Sequence, residues 1–301
     1  MALSSYTMPI KAKHVEVIRQ LMKEGGFEMK DKPYAHFSGK KGKLNVTVYE
    51  KGPKILVQGG DTEDFVKFTL EPMVFGEARL GYEEVNEPEM FEPHFGIDES
   101  GKGDFFGPLV IAGAYTDAKS TRALMDAGVM DSKRITSAAK ISKLADIIRA
   151  TPGIAYEVVS IGPERYNDMY GSFRNLNRLL AWGHARVIRS LVGKVPDCPR
   201  ALSDQFARKE VLERELARHE VDLDLQQRTK GESDVAVAAA SILARERFVS
   251  WIDSSSEKSG VRIPLGAGPH VLEAARELIA KHGEEILPKV AKMHFKTAKE
   301  V

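Results

Sequence analysis

The densest group of chemically useful side chains lies between residues 96 and 109, in the segment GIDESGKGDFFGPL. Two adjacent carboxylates, Asp98 and Glu99, end an apolar run and lead into a glycine-rich turn. A polar hairpin loop would explain an isolated motif of this kind. Apolar runs on both sides instead place the carboxylates near a core, where an unpaired charge is costly and usually binds a cation or a partner. Neighbouring residues of a strand face opposite ways, so we expect the strand to end and twist at Ser100-Gly101, where both carboxylates can share a site.

Other acidic residues stand at the ends of predicted elements. Asp204 follows a short apolar run and would by itself be an ordinary polar residue at the end of a strand. Glu232 and Asp234 precede a long helical pattern, where the helix dipole and free N–H groups favour carboxylates. For Asp234 this explanation is the better one. The single cysteine, Cys198, cannot close an internal disulfide or build a thiolate cage, which suits a reducing cytoplasm and favours oxygen ligands for any metal.

The elements that must position these acids alternate along the second part of the chain. This alternation of strands and helices predicts an α/β arrangement. The helix that begins at Val235 has an alanine-rich side and should lie unusually close to its neighbour. The predicted strands cover residues 95–98, 109–115, 154–161 and 201–202, and the predicted helices cover 137–150, 176–192 and 235–251.

The first part of the chain has a different pattern and a different charge. Periodicity predicts a helix over 12–23, an antiparallel hairpin of 44–48 and 55–57, and a short helix over 63–70. Residues 1–60 hold eleven basic and five acidic side chains, whereas residues 61–92 hold two basic and ten acidic ones. Two prolines and three acids without a period fill 86–93, so we expect a linker there and a domain boundary near residue 90.

The segment that opens at Gly96 resembles the first motif of the type 2 ribonucleases H, and of the ribonuclease HIII branch in particular. The resemblance covers roughly residues 94 to 295, and further segments follow in the family's order. These are Asp131-Ser132-Lys133, Asn177, Ser203-Asp204-Gln205-Phe206, Lys230-Gly231-Glu232-Ser233, 236–246, 264–268 and His294-Phe295.

The resemblance implies a fold for each part of the chain. For residues 91–301 it implies a ribonuclease H-like mixed five-stranded sheet flanked by helices. For residues 1–90 it implies a small α+β domain, similar to the TATA-box-binding protein, that binds substrate. The helix, the hairpin and the basic charge of the first segment fit that domain.

The resemblance also implies four catalytic acids, Asp98, Glu99, Asp204 and Glu232, which would hold Mg²⁺ or Mn²⁺. Two divalent ions about 3.5 to 4 Å apart can activate a water and stabilise a leaving oxygen in phosphodiester hydrolysis. We expect Asp98 to bridge the ions, Glu99 and Asp204 to complete the cage, and Glu232 to lie toward the nucleophile. Ribonuclease HII usually has aspartate where this chain has Glu232.

Substrate binding is expected at Ser100, Gly101, Lys102 and Gly103, whose backbone could approach a ribose 2′-hydroxyl, and at Lys133 and Lys230, which could neutralise phosphates. The comparable loop of ribonuclease HII carries arginine, and a C-terminal tyrosine there helps to recognise single ribonucleotides. Here no tyrosine follows Tyr170, so we expect a preference for stretches of ribonucleotides. The histidines at 94, 184, 270 and 294 lack metal-ligand spacing, and core or surface roles are expected for them.

Together these features predict a monomeric, cytoplasmic, metal-dependent endoribonuclease that cleaves the RNA strand of RNA/DNA hybrids and leaves 3′-hydroxyl and 5′-phosphate ends. The longest apolar run, 235–244, is shorter than the roughly 20 residues that cross a bilayer, so no membrane partner is expected. Two alternatives stay open. One is excision of single ribonucleotides from DNA, as in ribonuclease HII, and the other is a hybrid-binding protein without catalysis.

Overall fold

The computed structural model describes residues 3–76, 83–129, 135, 137–229 and 231–301, without the side chains of residues 83, 85 and 232. The chain divides into two compact units, Met1–Pro88 and Glu89–Val301. This division falls inside the predicted linker and close to the expected boundary at residue 90. No helix within the described ranges is long and apolar enough to span a membrane.

The first unit is a five-stranded antiparallel sheet with helices against it. Its strands are β1 Ser5–Pro9, β2 Glu28–Lys30, β3 Ala35–Lys41, β4 Leu44–Tyr49 and β5 Lys54–Gln58, in the order β1-β5-β4-β3-β2. Its helices are α1 Ala12–Glu24, α2 Thr62–Phe65, which continues into a π-helical segment Val66–Phe75, and α3 Glu83–Asn86. The predicted helix over 12–23 and the hairpin are confirmed. β1, β2 and β3 were not predicted, because few of their residues form an apolar alternation.

Only one face of this sheet packs into the core of the first unit. Val46 and Val57 on that face are fully buried with Ile18 and Met22 of α1. The strand register places the opposite set of side chains in rows across the other face. The exposed members of this second set are Ser5, Pro9, Glu28, Lys30, Lys40, Asn45, Lys54 and Gln58; we call this surface, with its three lysines and one glutamate, the lysine face.

The second unit contains a mixed five-stranded sheet, as expected. Its strands are β6 His94–Ser100, β7 Leu109–Thr116, β8 Ala155–Ile161, β9 Arg200–Asp204 and β10 Asp224–Arg228, in the order β10-β9-β6-β7-β8. β7 is antiparallel to β6 and β8, whereas β9 is parallel to β6 and to β10. β10 was not predicted from the pattern, because its sequence DLQQR contains a single apolar residue.

Helices cover both faces of this sheet. α9 packs on the face that carries Val110 and Ala112, and α7 packs on the face that carries Ile97 and Ile111. The predicted helices over 137–150, 176–192 and 235–251 are confirmed, and the last extends to Ser259. The helices of this unit are α4 Ala118–Asp126, α5 Ala138–Ala150, α6 Pro163–Phe173, α7 Leu176–Lys194, α8 Lys209–Arg218, α9 Val235–Ser259, α10 Pro269–His282 and α11 Leu287–Val290.

The alanine-rich helix α9 lies as close to the sheet as its composition predicts. A Cβ atom at Gly96 of β6 would fall closer than 3.0 Å to the backbone of Ala236 and Val237. Alanines 236, 238, 239, 240 and 244 are all buried at this interface or beside it. The backbone of α9 therefore rests on β6 directly, with no side chain between them at Gly96.

We expect Gly96→Ala to destabilise the protein, because the added methyl meets backbone atoms that cannot rotate away. Overpacking of this kind costs about 1–3 kcal/mol, and the rigid contact here favours the upper part of that range. Thermal unfolding measures the effect. Gly171→Ala is the matched control, since the exposed Gly171 of α6 has nothing within 4 Å of its added Cβ and alanine favours helix. Equal stability of Gly96→Ala and wild type would contradict the close contact.

Candidate active site

Two parallel strand ends bring Asp98 and Asp204 together. β6 and β9 pair in parallel register as far as Ile97 and Ser203, so Asp98 and Asp204 are the next residues on neighbouring strands. In-register neighbours of a parallel pair point to the same face of a sheet. The two carboxylates, which are 106 residues apart in the chain, therefore meet at one edge.

Asp98 is a buried carboxylate in a strongly negative environment. Its side chain is only 9% exposed. Its Oδ1 accepts a hydrogen bond from the Glu99 backbone N–H at 2.8 Å, and Ser241 of α9 donates another to the carboxylate. Burial, and then the charges of Glu99 and Asp204, raise the pKa of Asp98 to about 7. Among the described side chains, Asp98 is thus stabilised by hydrogen bonds and by no ion pair.

Glu99 turns to the other side of β6 and is paired there. Lys102 Nζ donates to its Oε1 at 3.3 Å, and His184 Nε2 of α7 lies 3.2 Å from its Oε2. Burial alone would raise the pKa of Glu99, but the hydrogen bond and charge of His184, together with Lys102, outweigh it and lower the pKa. Glu99 is therefore held in the ionised form, unlike its neighbour Asp98.

β6 ends at Ser100, as expected, but the two carboxylates do not share one face of the strand. β6 stays paired with β7 through Ser100 and Val110, because apolar residues of β7 continue to pack on both faces. Asp98 consequently faces Ser241 on α9, while Glu99 faces His184 on α7. The described side chains include no group of three or more His, Cys, Asp or Glu with metal-binding geometry.

Asp204 connects the strand ends to the segment that contains Glu232. Its Oδ1 accepts a hydrogen bond from the Gly231 backbone N–H at 3.0 Å. Gly231 begins a short 3₁₀ turn, Gly231–Ser233, so the backbone of Glu232 lies beside Asp204. The side chain of Glu232 and the whole of Lys133 and Lys230 lie outside the described part of the chain, and their predicted roles stay predictions.

Asp234 is a helix-capping residue, as its position predicts. Its Oδ1 accepts hydrogen bonds from the N–H groups of Ala236 and Val237 at the start of α9. It also lies 3.0 Å from Nε2 of the fully buried His94. Both residues therefore stabilise the junction of β6 with α9.

The proposed substrate loop is tightly built. Gly101 has φ +86°, and a Cβ atom there would collide with the Pro108 carbonyl oxygen, so glycine is required. Ser100 and Lys102 are half-buried, whereas Gly103 is exposed with nothing within 4 Å of an added Cβ. The loop thus presents its backbone to solvent around Gly103.

Lys292 donates hydrogen bonds to the backbone of the residues that follow Gly103. It was not identified from the sequence. This lysine is fully buried, and its Nζ donates to the carbonyl oxygens of Asp104 at 2.8 Å and Phe106 at 3.1 Å. Burial lowers its pKa to about 7. On the far side of the loop, Asp104 Oδ1 accepts from the Gly266 N–H at 2.6 Å. The backbone next to Gly103 is therefore anchored on two sides.

His184 is the site residue that the sequence reasoning assigned only to the core or surface. It is fully buried, as a core role requires, but its ring contacts Glu99 and Ser203. Its spacing of four from Leu180 and from Ile188 places it on the apolar stripe of α7. A histidine among apolar residues was the signal in the sequence that this position has a specific partner. That partner, Glu99, is 85 residues away and could not be identified from the sequence.

Comparison with known proteins agrees with this arrangement. The pattern of the family described as Ribonuclease HII matches residues 95–298. A Ribonuclease HIII of Chlamydia pneumoniae is 41% identical over 289 residues, which cover 94% of this chain and 93% of that protein. A Ribonuclease HIII of Protochlamydia amoebophila is 38% identical over 98% of this chain and 96% of its own length. The crystal structure of Bst-RNase HIII in complex with Mn²⁺ has a TM-score of 0.67 at 28% identity, and the match covers 99% of this chain and 97% of that one.

The chain therefore belongs to the ribonuclease HII family, the type 2 ribonucleases H, and is an endonuclease of the ribonuclease H class. The relatives that match it along nearly the whole length place it in the ribonuclease HIII branch of that family.

We expect Asp98→Asn to stabilise the metal-free protein at pH 8, and by less at pH 5. The pKa of Asp98 is raised in the folded state, so the folded state binds this proton more tightly than the unfolded one. Stability is then greatest at low pH and falls as the pH rises toward 7, by up to about 1.4 kcal/mol per pH unit. Asparagine removes this loss.

Thermal unfolding in chelator at both pH values measures the difference. Asp222→Asn, at an exposed carboxylate, is the control and should change little at either pH. A stabilisation by Asp98→Asn that is the same at pH 5 and pH 8 would show that the Asp98 charge is not the cause.

Proposed function

We propose that this protein cleaves the RNA strand of RNA/DNA hybrids in a metal-dependent reaction that leaves 3′-hydroxyl and 5′-phosphate ends. The observation that carries this proposal is the pair Asp98 and Asp204 at adjoining strand ends, with Glu99 beside them. Three neighbouring carboxylates repel a phosphodiester unless cations accompany them, even with Lys102 paired to Glu99. The absence of tyrosine after Tyr170, from which we expect a preference for stretches of ribonucleotides, extends the proposal to the substrate.

The donors present fit a hard divalent cation. Asp98, Asp204 and Glu99 offer carboxylate oxygens, which Mg²⁺ and Mn²⁺ prefer, and the raised pKa of Asp98 reflects negative charge that a cation would offset. We assign these three residues and Glu232 as the ligands. When bound, two such ions would supply an activated water and stabilise charge on the leaving oxygen.

The chain's own residues would bind and orient the hybrid around this position. The backbone N–H and C=O groups of Ser100, Gly101 and Gly103 would form hydrogen bonds with the 2′-hydroxyl of a ribose, a group that DNA lacks. Lys102, with a 37% exposed side chain beside Glu99, would approach a phosphate. Lys133 and Lys230 would neutralise phosphates further along the duplex.

The first unit would bind the hybrid as a domain similar to the TATA-box-binding protein. Its five-stranded antiparallel sheet and the exposed lysines of the lysine face support this role. Lys32 Nζ and Lys54 Nζ also lie 5.5 and 5.4 Å from the centre of the Tyr49 ring, so an aromatic side chain lies next to these lysines. A monomeric state and a cytoplasmic location remain predictions from the sequence.

Asp98→Asn should abolish turnover and leave hybrid binding nearly intact, because the change removes a metal ligand and little contact area. The assay uses a labelled RNA/DNA hybrid beside a DNA duplex with one ribonucleotide, each with Mg²⁺, Mn²⁺ or chelator. Cleavage of the hybrid alone, with either metal, is the expected result. Preferential cleavage at the single ribonucleotide would identify the ribonuclease HII activity instead. Hybrid binding with no cleavage under any condition would indicate a binding protein, and wild-type turnover by Asp98→Asn would refute the ligand assignment.

Replacing Lys30, Lys40 and Lys54 together by glutamate should weaken hybrid binding far more than it lowers kcat. Each lost phosphate contact reduces the slope of log K against log salt by about one. Binding titrations over a range of salt concentrations measure this slope. The matched control replaces Lys11, Lys13 and Lys23, which are exposed on or next to α1, and changes the net charge equally. Equal weakening by the two triple variants would show that the lysine face has no specific role.

A further inference from the structure

A single buried histidine lies between the two strand ends that carry the proposed metal ligands. His184 Nε2 is 3.2 Å from Glu99 Oε2, and its Nδ1 is 3.1 Å from Ser203 Oγ. Ser203 Oγ in turn is 3.0 Å from the carbonyl oxygen of Asp204. We propose, on the basis of the proposed function, that His184 is a positioning residue that orients Glu99 for the divalent cation and ties it to the strand end of Asp204.

The hydrogen positions follow from the acceptors around the ring. A carboxylate oxygen of Glu99 only accepts, so the ring nitrogen facing it, Nε2, carries the proton. Ser203 has one hydroxyl hydrogen, which goes either to Nδ1 or to the Asp204 carbonyl. In both arrangements His184 donates to Glu99, and the serine hydroxyl stays between the ring and β9. The direction of the Glu99 hydrogen bond is therefore fixed.

Glu99 depends on this bond because its surroundings oppose a second negative charge. The carboxylates of Asp98 and Glu99 repel one another, and both side chains are only 9% exposed. Lys102 is the other hydrogen-bond donor to the Glu99 side chain among the described side chains, but its own side chain is 37% exposed and can move toward solvent or substrate. His184 is fully buried and cannot. Of the two side chains that contact Glu99, His184 is therefore the one whose position is fixed.

The position of the ring is itself determined by packing. A Cβ atom at the preceding residue, Gly183, would lie 2.6 Å from Ile111 Cδ1, so glycine allows α7 to approach the sheet closely. Phe206, which follows β9, covers the ring with its centroid 4.5 Å away. A side chain that hydrogen-bonds a metal ligand, as His184 does to Glu99, orients that ligand. Loss of such a side chain lowers metal affinity by about 10- to 100-fold.

The test measures Mn²⁺ affinity of the full-length protein without substrate, by electron paramagnetic resonance of free Mn²⁺. His184→Leu fills the same space without either hydrogen bond, and His184→Gln restores a donor and an acceptor. We expect Mn²⁺ binding to weaken about 10- to 100-fold in His184→Leu and to recover most of that loss in His184→Gln. Ile188→Ala, one turn further along the same face of α7, should lose stability but keep wild-type affinity.

The outcomes separate the inference from the proposed function. Wild-type Mn²⁺ affinity in folded His184→Leu, or equal weakening in Ile188→Ala, overturns the positioning role. Mn²⁺ binding that Asp98→Asn leaves unchanged overturns the proposed metal site itself. Should His184→Leu not fold, Ser203→Ala removes only the hydroxyl behind the ring. A few-fold weakening then supports the inference, and unchanged affinity overturns it.

Discussion

The candidate active site depends on bringing like charges together where two parallel strands end. The register of β6 with β9 makes Asp98 and Asp204 neighbours, and the sequence of β6 places Glu99 next to them. Burial then makes each ionised carboxylate costly, which the raised pKa of Asp98 reflects. Most of the surrounding contacts donate hydrogen bonds to these carboxylates and so reduce the cost of their ionised forms. Ser241 and the Glu99 N–H donate to Asp98, Gly231 donates to Asp204, and Lys102 and His184 hold Glu99.

Close packing of helices on the sheet makes those contacts possible. Gly96 lets the backbone of α9 rest on β6, which carries Ser241 to Asp98. On the other face, Gly113 of β7 and Gly183 of α7 remove side chains that would hold α7 away; a Cβ at Gly113 would lie 2.7 Å from Ile97, Val187 and Leu191. This approach carries His184 to Glu99. The two helices thus support two adjacent carboxylates from opposite faces of β6.

The sequence predicted those parts of the fold whose pattern is local. Periodicity identified α1, α5, α7 and α9 and the central strands β6 to β8, because each has a continuous apolar face of its own. It missed β10 and β2, which have few apolar residues and form by pairing with a neighbour. The acids were identified through a motif. His184 was given only a core or surface role and Lys292 none, because their contacts are with Glu99 and with Asp104, which are 85 and 188 residues distant.

The loop that follows the carboxylates shows how such distant contacts can fix a backbone that, under the proposed function, would recognise the substrate. A backbone that is to distinguish a ribose from a deoxyribose by one hydroxyl must hold its position before the nucleic acid binds, since ordering it afterwards would reduce the affinity. Gly101 fixes one end of the loop by its positive φ, and Lys292 and Gly266 fix the other through Asp104 and Phe106. Only the short stretch around Gly103 is left exposed. The same carboxyl edge of the sheet therefore presents the acids and, within a few residues, a rigid backbone surface that would contact a ribose under the proposed function.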